Sequence, residues 1–391
     1  MKTTTKTLLT NYPSHDPYGA LNMPIYQTAS YEFATAADMA KAFTNKVKAP
    51  DYSRVMNPTV TFFENRVRSV TGAAHVTAFG SGMGAIANLL LSIASQGRTI
   101  ISSPHLFGNT YSLLDKTLAR FGVKTIFLDL TRPELVRQNI TPQVCCIYLE
   151  TVTNPQMEVA DIGALAEIVH ENGIPLVADT TMIPFTEYSA KSLGVDFEVV
   201  STTKYISGGA TSLGGVVIDY GTFPQINPIL KQEMLFNVGG YMTPQAAYMQ
   251  TLGLETLHTR YSRQAQTALQ LANSLLGHPC IERVNYIGLS DNPYYTLARR
   301  QFGATSGAMF CIDLPSQDDC FHFIDSLRLV HRATNLFDSR TLAIHPATTI
   351  FGNFTPEQRN AIDVSEKTIR LSIGLEDPED LLEDIIQALE K

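Results

Sequence analysis

Lys204 is the residue of this chain best placed to do chemistry. It lies in residues 199–217, VVSTTKYISGGATSLGGVV, where an apolar strand meets Ser201, Thr202 and Thr203, then the lysine, then a glycine-rich exit. A lysine withdrawn from water at a strand end loses its preference for the charged form and exposes a nucleophilic amine. The hydroxyls before it can donate to an anion, and the glycines after it let the backbone approach a flat ligand. Taken alone, the segment also reads as an exposed lysine in a Ser/Thr-rich loop.

Other residues give the lysine company. Asp179 ends the apolar run PLVAD one βα unit earlier, and a carboxylate at the end of a buried strand is costly unless it meets a cation. The competing reading is a helix N-cap, since Thr180 and Thr181 follow. Gly80–Gly84 (GSGMG) stands between a strand and a helical run, where free amides and the helix dipole stabilise a phosphate. Its G-x-G-x-G spacing is neither a dinucleotide fingerprint nor a P-loop, and a plain tight turn accounts for it equally well. Arg370, in the alternating strand TIRLSIG, offers a planar fork for a substrate carboxylate or else forms a structural ion pair. Tyr52 and Arg54 lie on an irregular arm, where Arg54 could hold a phosphate but solvent exposure is the simpler account. His75, His105 and His345 lack metal-ligand spacing, so no metal is expected. An amine, phosphate donors and a carboxylate are what pyridoxal phosphate requires: a Schiff base, an anion site, and a partner that keeps the ring nitrogen protonated as an electron sink.

The elements that must position these groups are legible as apolar runs. Strands are expected at 75–78, 99–102, 124–128, 145–150, 175–178, 197–201 and 215–218, with helices at 83–95, 109–121, 133–137, 162–172 and 185–193. This alternation predicts a mainly parallel, helix-covered α/β sheet with ligands beyond the C-terminal strand ends. Helices at 244–258 and 261–276 follow, then a smaller α+β unit with strands near 308–314 and 368–373 and helices at 317–326 and 378–390. The expected organisation is an arm (1–60), with helix only at 35–45 capped by Thr35, a large cofactor-binding α/β domain (61–243) and a C-terminal α+β domain (244–391).

Bulk properties narrow the class. The 391 residues are 44% hydrophobic and 17% charged, with a formal charge of −8. Without basic runs this argues against nucleic acid or an anionic membrane as partner. The first seventeen residues contain no apolar core long enough for a signal peptide, and the greasiest stretch, 85–94, is about half a bilayer span. Five cysteines without CxxC spacing fit buried free thiols in a reducing compartment, so a cytoplasmic protein is expected.

The ordered blocks IYQTASYEF, YSRVMNPT, GSGMGAI, ETVTNP, ADTT, STTKYISG, HPATT and IRLSIGLEDPEDLL resemble the Cys/Met-metabolism family of pyridoxal-phosphate enzymes, from about residue 19 to the end. The resemblance implies fold type I, with a mainly parallel seven-stranded sheet. It implies Lys204 as Schiff-base lysine and proton carrier, Asp179 at the pyridine nitrogen, and Gly82, Met83, Ser201 and Thr203 at the phosphate. Tyr52 and Arg54 would complete the site of a neighbouring subunit in a dimer, usually paired into a tetramer, with Tyr52 also catalytic. Asn154 would bond the phenolic oxygen, and Arg370 and Asn335 would meet the amino-acid substrate.

Departures from the family pattern refine this picture. Phe107, in LFGNT, takes the place of a tyrosine that stacks on the ring, and Asn109 replaces a cysteine typical of methionine γ-lyases. Phe337 replaces a usual glycine and Ile350–Phe351 a usual Thr-His, all expected near the substrate entrance, and Asp179-Thr-Thr replaces the commoner Asp-Asn-Thr. The expected reaction is γ-replacement on an O-acylhomoserine by a sulfur nucleophile; the alternative is γ- or β-elimination from methionine, cystathionine or a similar amino acid. A nicotinamide oxidoreductase would need different glycine spacing and leaves Lys204 without a role.

Overall fold

Seven apolar runs become the seven strands of one sheet in the computed structural model, which describes residues 2–8 and 18–390. They are β1 (His75–Phe79), β2 (Thr99–Ser102), β3 (Lys124–Phe127), β4 (Val144–Glu150), β5 (Leu176–Asp179), β6 (Phe197–Val200) and β7 (Gly215–Asp219). Each agrees with its expected limits to within one residue. The spatial order is β1-β7-β6-β5-β4-β2-β3, with only β7 antiparallel to its neighbours. Alternate residues face opposite sides: Ile147 and Leu149 join one apolar cluster, Cys146 and Tyr148 the other. Both faces are covered, which is why these strands read as unbroken apolar runs.

A second sheet, ordered β10-β11-β12-β9-β8, forms from β8 (Arg283–Asn285), β9 (Met309–Asp313), β10 (His331–Arg332), β11 (Leu342–Ile344) and β12 (Thr368–Ser372). β9 and β12 were expected; the other three are two or three residues long, too short to show a period. Helices Pro244–Glu255 and Leu257–Leu275 meet at Thr256, and the second packs on the C-terminal helix Pro378–Leu389.

Elsewhere the helical expectations need correction. Residues 185–193 do not form a helix; only a 3-10 turn, Lys191–Leu193, is present. There Ser189 Oγ accepts the Ser192 amide, a local bond that competes with helix. The 109–121 helix is broken into Gly108–Ser112, a π-turn Leu113–Thr117 and a 3-10 turn Leu118–Phe121. In the arm, Thr35 caps helix Ala36–Phe43 through the Asp38 amide. The arm also carries an unexpected helix, Thr3–Leu8, which packs on Pro58–Thr71. Residues 9–17 of the arm lie outside the described residues. No helix among the described residues is long and apolar enough to cross a membrane.

Candidate active site

Three consecutive parallel strands deliver their last residues to one edge. Glu150 ends β4, Asp179 ends β5 in register with it, and Ser201 follows β6. Helix Gly82–Ile93 starts at the same edge after β1, and Arg370 of β12 and Asn335 of the loop after β10 complete the lining. These groups line a cavity of about 680 Å³, a size suited to a small cofactor with its substrate.

Lys204 sits on the turn after β6, half-buried, and its Nζ donates to Asn335 Oδ1 at 2.9 Å. Burial, aided by the positive charge of Arg370, lowers its pKa to about 8. The exposed-loop reading of this lysine is therefore replaced by that of a cavity amine. Arg370 is 2% exposed. Its Nη1 donates to Asn154 Oδ1 and its Nη2 to the carbonyls of Thr334 and Asn335. Nε finds no acceptor, and no carboxylate pairs with the guanidinium among the described residues. Burial lowers its pKa to about 10. A buried cation held only by neutral acceptors strongly favours an incoming anion.

Asp179 does not cap a helix. Its Oδ1 accepts the Thr181 amide at 2.9 Å in a local turn, and Tyr148 Oη donates to Oδ2 at 3.3 Å. Burial raises its pKa against those bonds. Glu150 beside it is pushed well above the ordinary carboxyl range by burial and by the charge of Asp179. Glu150 Oε1 accepts the Phe107 amide at 2.7 Å, which fixes the Phe107 turn at the cavity wall. Sequence reasoning did not single out Glu150, Tyr148 or Thr181. Glu150 opens the ETVTNP block and ends an apolar run as Asp179 does, so the same desolvation argument would have found it.

At the same edge, Ser81 caps helix Gly82–Ile93 by accepting the Gly84 amide. Helix geometry leaves the Gly82 and Met83 amides over. A Cβ on Gly82 would come 2.7 Å from Ser201 Cβ, so glycine lets the Ser201 hydroxyl lie against the helix start. Thr203 lines the same cavity, its hydroxyl donating to the Gly214 carbonyl at 3.2 Å. Unused amides, a helix dipole and the Ser201 hydroxyl at one point make a donor set matched to a phosphate. With the amine of Lys204 and the carboxylate of Asp179 lining the same cavity, the residues present fit pyridoxal phosphate.

The structure brings ten of the twelve expected site residues to this cavity. The other two, Tyr52 and Arg54, are not among its lining residues. Tyr52 is 45% exposed, and Arg54 lies over its ring, 5.5 Å from the centroid, while donating to the Phe236 carbonyl. Ile350 lines the cavity, but Phe351 packs with Ala347, Ile362 and Val364. Phe337 is not at an entrance; it is fully buried against Tyr205. Among the described residues no group of three His, Cys, Asp or Glu side chains could hold a metal ion.

A family model described as Cys/Met metabolism PLP-dependent enzyme matches residues 4–390. An O-succinylhomoserine sulfhydrylase of Pseudomonas aeruginosa is 37% identical, covering 95% of this chain and 92% of its own. An L-methionine gamma-lyase of Pseudomonas putida is 35% identical over 98% of this chain and 96% of its own. A Campylobacter jejuni structure, named as an O-acetylhomoserine (thiol)-lyase and holding N'-pyridoxyl-lysine-5'-monophosphate, superposes with a TM-score of 0.96 at 29% identity, covering both chains completely.

Proposed function

The chain belongs to the Cys/Met-metabolism family of pyridoxal-phosphate-dependent enzymes, and from that premise we propose that it catalyses γ-replacement on an O-acylhomoserine by a sulfur nucleophile. The observation that carries the reading is a cavity shared by a low-pKa amine, Lys204, and a buried guanidinium, Arg370, that has no carboxylate partner among the described residues. That pair suits the proton transfers and the carboxylate of an amino-acid substrate.

When bound, the cofactor's ring stores the electron pair released at the substrate's Cα. Ser201, Thr203 and the Gly82 and Met83 amides would hold its phosphate, Asp179 its ring nitrogen, Asn154 its phenolic oxygen, and Phe107 would lie against its face. Arg370 would clamp the substrate carboxylate, with Asn335 beside it. Lys204, uncharged in half its molecules near pH 8, can take a proton from Cα and return one along the substrate chain. Loss of a Cβ proton then supplies the electron pair that forms a Cβ–Cγ double bond as the Cγ–O bond breaks and the acyl group leaves as a carboxylate; the sulfur nucleophile adds at Cγ, and protons return to Cβ and Cα. A carboxylate leaves with little acid help. A thiolate leaving from methionine gains more from a nearby phenol, and Phe107 has none.

Several readings of organisation accompany this one. Residues 61–243 would be the large cofactor-binding α/β domain and 244–391 the C-terminal α+β domain. The arm, with Leu21, Phe43 and Val47 exposed, would pack on a second copy in a dimer, itself paired into a tetramer. Tyr52 and Arg54 would then reach the neighbouring site, with Tyr52 taking part in catalysis there. The five free cysteines, four of them buried, support a cytoplasmic setting.

The test is a panel of O-acetylhomoserine, O-succinylhomoserine, cystathionine and methionine, each with and without sulfide. Sulfide-dependent γ-substituted product from an acylhomoserine is expected to dominate. Oxobutyrate as the main product, unaffected by sulfide, would instead establish a lyase. Phe107→Tyr should raise elimination from methionine by roughly tenfold or more, and an unchanged rate would remove the role assigned to the missing hydroxyl.

A further inference from the structure

Phe337 is the departure that the reaction does not explain. Its φ is +55°, a left-handed conformation that glycine takes freely and a Cβ disfavours. It is nevertheless fully buried. Its ring lies parallel to that of Tyr205, with centroids 3.9 Å apart and planes 7° from parallel. Tyr205 is the residue directly after Lys204. A glycine at 337 would be relaxed and would leave that face of Tyr205 uncovered, so the ring itself is what the backbone conformation secures.

The surroundings form a closed ring of contacts. Lys204 Nζ donates to Asn335 Oδ1 at 2.9 Å, and Asn335 Nδ2 donates to Asp338 Oδ2 at 3.3 Å. Between Asn335 and Asp338 stands Phe337, whose amide donates to Ser372 Oγ at 2.7 Å. Tyr205 is immobilised from other directions as well. Its hydroxyl accepts the Ala308 amide at 3.0 Å, its ring meets the edge of Tyr261, and its carbonyl accepts from Arg260 Nη1 at 2.7 Å. Helix Pro244–Glu255 presses on the next residue: a Cβ on Gly253 would lie 1.9 Å from the Ile206 carbonyl oxygen. The Lys204 turn is thus a fixed body, and the Tyr205–Phe337 stack is where the 334–338 loop is fastened to it.

We propose that Phe337 is a positioning residue for the reaction: by stacking on Tyr205 it locks the Asn335 loop to the Lys204 turn, so that Asn335 Oδ1 stays on the lysine nitrogen. This rests on the reading of Lys204 as the cofactor-bearing residue. Because Asn335 accepts a hydrogen bond from that nitrogen, its displacement makes the nitrogen's proton easier to lose. It also loosens the aim of the proton transfer, an error of the kind that costs rate more than binding.

The test compares native holoenzyme with Phe337→Gly and Phe337→Leu. Glycine relaxes the backbone and removes the ring; leucine keeps buried apolar volume without a stacking face, so it retains the fold if the glycine variant loses it. The readouts are the pH midpoint of the visible absorbance, kcat and KM separately, and melting temperature. Both variants are expected to lower the midpoint by about half a pH unit or more and kcat by roughly tenfold, with KM within about threefold. A leucine variant that titrates and turns over like the native protein would reduce Phe337 to packing and overturn the proposal, whatever the glycine variant does. Failure of the underlying Lys204 reading looks different: the native protein itself would then show no titrating visible band that borohydride fixes to Lys204.

Discussion

At the scale of single residues, the site depends on desolvation. Lys204 and Arg370 are two cations in one cavity, and burial lowers the pKa of each before their mutual repulsion acts on the lysine. For cofactor-free protein, amine-directed labelling at Lys204 should follow a titration with its midpoint near 8. An ordinary lysine would titrate near 10.4. Arg370→Met should move that midpoint upward, since a neighbouring positive charge disappears, while Lys204→Ala abolishes the labelled peptide altogether. A midpoint above 10 in the native protein would mean that water reaches the amine freely.

At the scale of elements, strand ends and the connections after them carry the site, and one connection is tied by charge. His105, between β2 and the Phe107 turn, holds Glu158 Oε2 at 2.6 Å through Nδ1 and Asp363 Oδ2 at 3.1 Å through Nε2. Burial alone would lower its pKa, but the hydrogen bond and charge of Glu158, with those of Asp363, outweigh it and raise the pKa above 6.5. A raised value means that protonation favours the folded state. This contribution is complete below about pH 6.5 and fades as pH rises through the folded value. Denaturant titration of native protein and His105→Gln should therefore differ by roughly 1 kcal/mol at pH 6 and by less at pH 8.5. A gap that widens with pH would contradict the arrangement.

The same scale shows what was legible beforehand. The seven strands of the large sheet announced themselves because burial on both faces leaves continuous apolar runs. Lys204, Asp179 and Arg370 stood out because each is an ionisable group where an apolar pattern makes it costly. Strands of two or three residues such as β8, β10 and β11 carry no period; β8 pairs with β9 and β11 with β12, and β10 pairs with β11. The helix expected at 185–193 gave way to local Ser189 bonding that no helical period reveals. Phe337 looked like an entrance residue because its contact, the Tyr205 ring, lies 132 positions away in sequence and no local pattern encodes it.

At the scale of the whole molecule, the cavity of one chain collects ten expected site residues and leaves Tyr52 and Arg54 on an arm rich in exposed apolar side chains. Co-expression of Arg54→Ala with Lys204→Ala chains tests whether the arm serves a second copy. Each variant alone should be nearly inactive. If Arg54 acts across the interface, random pairing leaves one intact site in half of the dimers, so activity should recover to about a quarter of native. Recovery to nothing would place Arg54 in the site of its own chain.

The chain supplies the two halves of its cavity from separate stretches. Residues from 81 to 213 furnish the helix start at Gly82, Asp179 and Lys204, while Thr334–Leu336, Thr349, Ile350 and Arg370 come from the last sixth of the sequence. In terms of descent, such a division would let most of the second stretch change apart from the first, Asn335 and Arg370 excepted. Substitutions at Thr334, Leu336, Thr349 or Ile350 would then bear on which amino acid is admitted without touching the stretch that carries Lys204. The limit on that freedom is the place where the stretches are bound together: a lineage that acquires a ring at 337 ties its later choices there to the turn that carries the lysine.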